Sequence, residues 1–212
     1  FICHGVPSPQ YFQEFLGDIE RRSKARVTDV TFREKDKGWH TQVTKVYLSS
    51  GKIWSRESLN HHYYYYFLND YSLRNSCYSC EEYCAHTSDL TLADDWLSSG
   101  EKDDDGMSLV YVNTKTGEAM LEEIQSEIEY DDVTSERTKM EVYAHDRYDR
   151  GKKKIWMNAW RGRGYPYVSG RMFHKLYVRW WLCRNVYRLL TGIYRRFKKE
   201  ASGRRVRLRA KK

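Results

Sequence analysis

The sequence contains little proline and no long apolar run. Only 3 of the 212 residues are proline. No stretch of about 18 consecutive apolar residues occurs, so the sequence predicts no membrane-spanning helix. No secretory signal peptide is recognisable either. Aromatic residues are plentiful instead, at 15% of the chain with 18 tyrosines. We therefore expect one sizeable domain with a largely aromatic core, followed by an appendage.

Acidic residues are nearly absent from the C-terminal segment. Residues 170–212 contain 15 lysines and arginines but a single acid, Glu200, whereas the whole chain has a formal net charge of only +8. The rest of the chain is therefore net negative. The basic character belongs to the tail, and we expect it to influence what the tail binds.

Cysteine is scarce, and three of the five cysteines are clustered. Cys77, Cys80 and Cys84 form a C-x2-C-x3-C array. The odd count and the clustering argue against a secreted disulfide scaffold and indicate a reducing cytosol. Three thiolates this close predict zinc or an iron–sulfur cluster, which the spacing alone does not distinguish. Cys3 has two interpretations, a fourth thiolate for the array or a buried cysteine in a strand.

Several common catalytic motifs are missing. The sequence has no Walker loop, no G-x-G-x-x-G after a strand, no nucleophile elbow and no zincin helix. The array also runs opposite to the C-x3-C-x2-C of radical S-adenosylmethionine enzymes. Nothing in the chain therefore predicts hydrolytic chemistry.

The spacing of apolar residues predicts an α+β, or mixed α/β, fold. Ser8 followed by Pro9 is typical of a helix start, and alternating apolar residues indicate strands. The second helix is expected to bury one face that includes Tyr63 and Tyr66, and the third to bury Met120. We predict an antiparallel meander and further short strands with flanking helices: a helix from Pro9, strands at 26–33, 43–48 and from Ile53, a helix over 58–73, strands at 90–92 and 107–112, and a helix over 117–128.

Composition divides the chain into three segments. Residues 1–130 are predicted to form the folded domain and residues 131–168 a charged linker region. Residues 169–212 are predicted to form a long basic amphipathic helix and a disordered tail. Large apolar residues, among them Phe173 and Tyr177, form a stripe on this helix. We expect a partner or an anionic membrane surface to cover it, with nucleic acid the least favoured partner.

Two further groups of polar residues invite a functional interpretation. His61 and His62 are expected to be structural, because neighbouring residues on a helix point in different directions. Three basic residues lie shortly before Trp39 in the sequence: Arg33, Lys35 and Lys37. They are either solvated turn charges or contacts for an anionic cofactor tail.

Five sequence segments follow one another in a characteristic order over residues 1 to about 125. They read ICHGVPSP at residues 2–9, FREKDKGW at 32–39, LRNSCYSC at 73–80, SDLTLADDW at 88–96 and DGMSLVYVNT at 105–114. This order resembles the coenzyme F420 hydrogenase/dehydrogenase beta subunit family, in its C-terminal domain. The family usually reads Gly-Asp-Phe-Trp-Gly where this chain has Ala-Asp-Asp-Trp-Leu at residues 93–97, so both glycines and the phenylalanine are replaced.

The resemblance implies an iron–sulfur flavoprotein type of oxidoreductase. A hydride would pass between reduced deazaflavin, coenzyme F420, and FAD, and electrons would then pass singly to a 4Fe–4S cluster. The implied ligands are Cys77, Cys80 and Cys84, with Cys3 as the candidate fourth. The implied partners are a redox protein or subunit and a ferredoxin-like segment in front. Because the chain starts at Phe1 inside a matching segment, we expect an N-terminally incomplete bacterial member.

An alternative interpretation also accounts for the pattern. The cysteines would form a structural zinc–thiolate interaction module, and the basic tail would be the functional part, directed at a partner or an anionic membrane surface. On either interpretation the expected location is the cytoplasm, with the tail able to reach the membrane periphery.

Overall fold

The chain begins with a well-capped helix. The computed structural model describes side chains up to Tyr187 and covers residues 1–39, 41–80, 88–95, 106–130, 150–197 and 209–210. Helix α1 spans Pro9–Ser23, and Ser8 Oγ accepts a hydrogen bond from the Tyr11 backbone N–H at 3.4 Å. Pro9 occupies the first helical position, where the missing N–H has no partner in any helix. The predicted helix start is therefore confirmed.

Three strands form the predicted antiparallel meander. Strands β1 (Val27–Glu34), β2 (Val43–Leu48) and β3 (Ile53–Glu57) lie in the order β1-β2-β3. Gly51, with a φ of +78°, lies in the tight turn between β2 and β3. The central strand buries both Val46 and Thr44, and α1 packs against the neighbouring strand β1.

Helix α2, His62–Leu68, lies at the centre of the molecule. It is shorter than the helix predicted over 58–73, since Ser58–Asn60 forms a 3₁₀ turn before it. All four of its consecutive tyrosines, residues 63–66, are buried. A helix with one buried face could not bury four successive residues, so α2 must be covered from several sides.

A second small sheet lies beyond the cysteine array. Strands β4 (Leu90–Asp94) and β5 (Ser108–Val112) pair antiparallel, and α3 (Lys115–Glu123) follows. Helix α3 packs through Gly117, where an added Cβ would lie 2.3 Å from the Asp89 carbonyl oxygen. Met120 is 48% exposed, so its predicted burial is wrong. A two-residue pairing joins Ile128–Glu129 (β6) to Arg209–Ala210 (β7).

Two helices separated by a distortion complete the described chain. Helix α4 spans Arg150–Pro166, a π-helical turn covers Tyr167–Met172, and α5 spans Phe173–Phe197. Helix α4 also contains a kink at Gly164, whose φ of 75° and ψ of 175° are not helical. Proline within the last turn also removes a backbone donor there.

Helix α4 occupies part of the segment for which the sequence predicts a charged linker. Its aromatic residues pack into the core beside α1 and α2, and Trp156 is only 1% exposed. The lysines and glycines of the segment masked this periodicity in the sequence. The division of the chain at residues 130 and 168 stays a prediction.

The predicted fold class is confirmed. The molecule combines an antiparallel meander, short strands and flanking helices with a long basic helix, α5. The N-terminal half of the α5 stripe, which includes Phe173, Tyr177 and Trp180, packs against the domain's own core. The expectation that a partner or a membrane surface covers this part of the stripe is therefore wrong. In the described segments, no helix has both the length and the hydropathy needed to cross a bilayer.

Candidate cysteine site

Backbone pairing brings the first residues of the chain against the cysteine array. Cys77 lies in a 3₁₀ turn, Asn75–Ser79, and is buried. Pro7 and Leu73 form an isolated antiparallel bridge, and the Arg74 N–H donates to the Val6 carbonyl at 2.8 Å. These bonds hold the N-terminal segment, which contains Cys3, beside the segment that contains Cys77.

Two successive backbone N–H groups point at cysteine sulfurs. The Gly5 N–H donates to Cys3 Sγ at 3.2 Å, and the Val6 N–H donates to Cys77 Sγ at 3.2 Å. Gly5 has a φ of +101°, and an added Cβ would lie 3.4 Å from Cys77 Sγ and 3.2 Å from a Leu73 methyl carbon. Glycine therefore suits this position for both its backbone conformation and the space available.

The predicted ligands differ in their exposure to solvent. Cys77 is buried, Cys80 is half-buried just after the 3₁₀ turn, and Cys3 is exposed. Cys3 lies outside any strand, so its interpretation as a buried strand cysteine is wrong. Cys84 lies outside the described residues. Within the described residues, no three histidine, cysteine or acidic side chains are grouped as metal ligands, and the ligand set stays a prediction.

Basic residues from α4 contact the turn that carries Cys77. Lys153 Nζ donates to the Leu73 carbonyl at 3.3 Å and to Asn75 Oδ1, and lies 4.1 Å from the centre of the Tyr78 ring. Burial lowers the pKa of Lys153, while the nearby Cys77 opposes this shift. Sequence reasoning missed this contact, because Lys153 lies in the predicted linker.

A cleft adjoins the N-terminal segment. It has a volume of about 570 Å³ and is lined by residues from both sheets, α2 and the chain start, among them His4, Gly5, Arg33, Tyr64, Asp94 and Arg184. This volume is within the range of cofactor pockets, roughly 300–1,000 Å³. Gly5 belongs to this wall and to the cysteine site. The cleft and the cysteine site therefore share the loop that contains Gly5.

The cations near Trp39 have different surroundings. Arg33 lies 3.0 Å from Asp94 and lines the cleft, whereas Lys37 pairs with Glu57 at 2.7 Å. The hydrogen bond from Lys37 lowers the pKa of Glu57. Both Arg33 and Lys35 lie 5.1 Å from the Trp39 ring centre. Of the three cations considered from the sequence, Arg33 is the one placed to meet a ligand in the cleft.

The adjacent histidines bond to core groups. His61 Nε2 lies 3.1 Å from Thr44 Oγ1. His62 lies between two hydroxyls, with Nδ1 2.9 Å from Tyr11 and Nε2 3.2 Å from Tyr165. Burial lowers the pKa of each histidine to about 3, so both are neutral near pH 7.

Comparison with known proteins adds a family match. A sequence model of one family, described as the C terminus of the beta subunit of coenzyme F420 hydrogenase/dehydrogenase, matches residues 1–136. No curated protein and no solved structure matches the chain. The matched region contains the cysteine array, the N-terminal loop and nearly all of the cleft lining.

Proposed function

The chain belongs to the coenzyme F420 hydrogenase/dehydrogenase beta subunit family, in its C-terminal part, and from this premise we propose that it relays electrons between a (deaza)flavin and a 4Fe–4S cluster. The family implies an oxidoreductase module that works with partner subunits. The proposal includes the 4Fe–4S cluster, the flavin, a ferredoxin-like segment and a cytoplasmic location.

The cysteine site carries the proposal. Its supporting observation is that the N–H groups of Gly5 and Val6 donate to the sulfurs of Cys3 and Cys77. Hydrogen bonds of this type stabilise thiolate charge and tune the potential of iron–sulfur clusters. The donor set therefore suits a cluster held by Cys77, Cys80, Cys84 and Cys3. Lys153 adds positive charge beside the same turn.

The cleft supports the placement of a flavin. Arg33 and Arg184 line it and can bind a phosphate or carboxylate tail, and Gly5 brings its wall against Cys3. When bound, the flavin would convert a hydride into single electrons and the cluster would carry them one at a time. The chain itself contributes side chains that bind the flavin, positive charge, and the Gly5 loop that the cleft and the cysteine site share. Tyr64, whose hydroxyl donates to Gln42 at 2.6 Å, also lines the cleft, as Gln42 does.

Cysteine substitution followed by metal analysis tests this proposal. After anaerobic reconstitution of the full chain, we expect iron and sulfide in equal amounts, a brown colour and broad visible absorption. Cys77→Ser, Cys80→Ser and Cys84→Ser should each lose most of the iron. Cys3→Ser should give a labile or three-iron cluster, because it removes the candidate fourth ligand.

Cys183→Ser is the matched control. Cys183 is exposed on α5 and far along the chain from the array, so its substitution should leave the iron content unchanged. Full iron content in each of the three array variants would contradict the proposed ligands. A colourless protein that binds zinc through these cysteines would instead establish the zinc–thiolate alternative.

A further inference from the structure

Helix α5 has two apolar faces, and the domain covers one of them. Leu176 and Trp180 pack against the core, and the Leu176 carbonyl accepts a hydrogen bond from the Tyr65 hydroxyl at 3.3 Å. A second set of large side chains recurs every three or four residues and stays exposed: Val178 at 40%, Trp181 at 50%, Leu182 at 52% and Val186 at 56%. We call this second set the outer face of α5.

The charged residues of α5 itself are all of one sign. From Phe173 to Phe197 the helix contains no aspartate or glutamate. Lys175 and Arg179 are exposed at the N-terminal end of the outer face. Neither forms an ion pair within the described part of the chain. Their positive charge is therefore available to a partner.

The charge pattern selects among the surfaces that could cover these side chains. A second copy of the chain would bring two helices of the same sign together, which opposes association. A bilayer with anionic headgroups offers the opposite charge and an apolar layer at the depth that tryptophan prefers. We propose that the outer face of α5 binds the surface of a membrane containing anionic lipid, with the helix parallel to the bilayer plane.

Both faces of α5 can be used at once. Because Leu176 and Trp180 stay on the core, docking needs no unfolding of the domain. Arg184 lies over the Trp180 ring, 5.0 Å from its centre, and lines the cleft. Its charge is therefore directed to the cleft and not to the outer face. The inference rests on α5 alone and holds whether or not the cysteines carry a cluster.

Vesicle cosedimentation of the full chain tests the inference. The wild type should bind vesicles of phosphatidylcholine and phosphatidylglycerol, and bind pure phosphatidylcholine far less. Leu182→Glu places a negative charge in the centre of the outer face and should weaken binding to the anionic vesicles about tenfold or more. Circular dichroism and the melting temperature should show that the fold is retained.

Met120→Glu is the matched control. Met120 is 48% exposed on α3, close to the 52% of Leu182, and the substitution adds the same charge on a helix surface. It should leave vesicle binding within about twofold of the wild type. The iron content should not change in either variant, which separates this test from that of the proposed function.

Three results would overturn the inference. One is equal binding to neutral and anionic vesicles. The second is unchanged binding by Leu182→Glu, which would assign the attraction to charge elsewhere in the chain. The third is a lipid-free dimer in light scattering that Leu182→Glu converts to a monomer, since a second copy would then cover the outer face.

Discussion

His61 illustrates what an aromatic core requires of a polar side chain. The Ser58 hydroxyl donates to the Phe32 carbonyl at 3.4 Å, so Thr44 must donate its proton to Ser58 across their 3.2 Å contact. His61 must then donate to Thr44 through Nε2, which leaves Nδ1 as an acceptor. Nδ1 is buried and has no hydrogen-bond partner among the described residues. Protonation of His61 would thus bury an N–H without an acceptor.

We therefore expect stability to fall as the pH decreases below about 6.5. Burial lowers the pKa of His61 from 6.5 to about 3, and the charges of His62 and Arg56 add to this shift. The unfolded chain binds the proton near pH 6.5 and the folded chain only near pH 3. Between these two pH values the free energy of unfolding falls as the pH decreases. His61 contributes up to about 1.4 kcal/mol of this loss per pH unit.

Urea unfolding at several pH values measures this dependence. His61→Asn should show a shallower loss of stability between pH 6.5 and 4 than the wild type. His174→Asn serves as the control, because His174 is exposed on α5. Parallel curves for the wild type and His61→Asn would contradict the assignment of this titration to His61.

At the scale of elements, α2 joins the N-terminal and C-terminal parts of the chain. Each of its four tyrosines has a different partner. The Tyr63 ring stacks on Phe15 with centres 4.9 Å apart, and the Tyr64 hydroxyl donates to Gln42. The Tyr65 and Tyr66 hydroxyls instead donate to backbone carbonyls of α5 and of the π-helical turn. These bonds attach the last helices to the domain.

Removal of one hydroxyl from α2 should measure the strength of this attachment. The Tyr66 hydroxyl donates to the Val168 carbonyl at 2.8 Å, and both residues are fully buried. Tyr66→Phe removes this bond and leaves the Val168 carbonyl with only the backbone N–H of Phe173, so it should destabilise the fold by about 1 kcal/mol. Chemical denaturation gives the value.

Tyr63→Phe is the control for this prediction. Tyr63 is also buried, but its hydroxyl makes no hydrogen bond within the described part of the chain. The change should therefore stay within about 0.5 kcal/mol of the wild type. An equal loss in both variants would show that ring packing, and not the bond to Val168, determines the effect.

Elements with local signals could be predicted, and elements defined by distant contacts could not. Ser8 and Pro9 mark α1, and alternation marks the meander, so these followed from the sequence. The four buried tyrosines of α2 have no helical period, because their partners come from distant segments. The sequence likewise suggested a metal at the cysteines. It did not show that Gly5 faces Cys77 or that Lys153 reaches the same turn, since both contacts join residues more than 70 positions apart.

At the scale of the whole molecule, the core is built from both ends of the chain. Trp156 and Val168 are buried against Tyr11 and Tyr66. We therefore expect a fragment of residues 1–149 to lose cooperative thermal unfolding, because large apolar surfaces of α1 and α2 would be exposed to water. A fragment of residues 1–197, which keeps α4 and α5, is the control and should melt like the full chain.

The same fragments decide where the domain ends. A fragment 1–149 with the melting temperature of the full chain would support the boundary near residue 130 that the sequence predicts. Loss of its cooperative transition would show that α4 belongs to the domain. Limited proteolysis gives a second measurement, since a boundary near 130 predicts cleavage between Tyr130 and Ser169 before any cleavage in the domain.

Gly5 belongs to two surfaces at once, and this has a thermodynamic consequence. Its N–H donates to Cys3, its missing side chain leaves room for Cys77, and the residue also lines the cleft. A molecule that displaces Gly5 on entering the cleft also changes the hydrogen bonds that stabilise charge on these sulfurs. Linked equilibria are reciprocal, so gain or loss of charge at the sulfurs must change the affinity of the cleft by the same factor. Displacement of Gly5 would thus make occupancy of the cleft and charge on the two sulfurs interdependent.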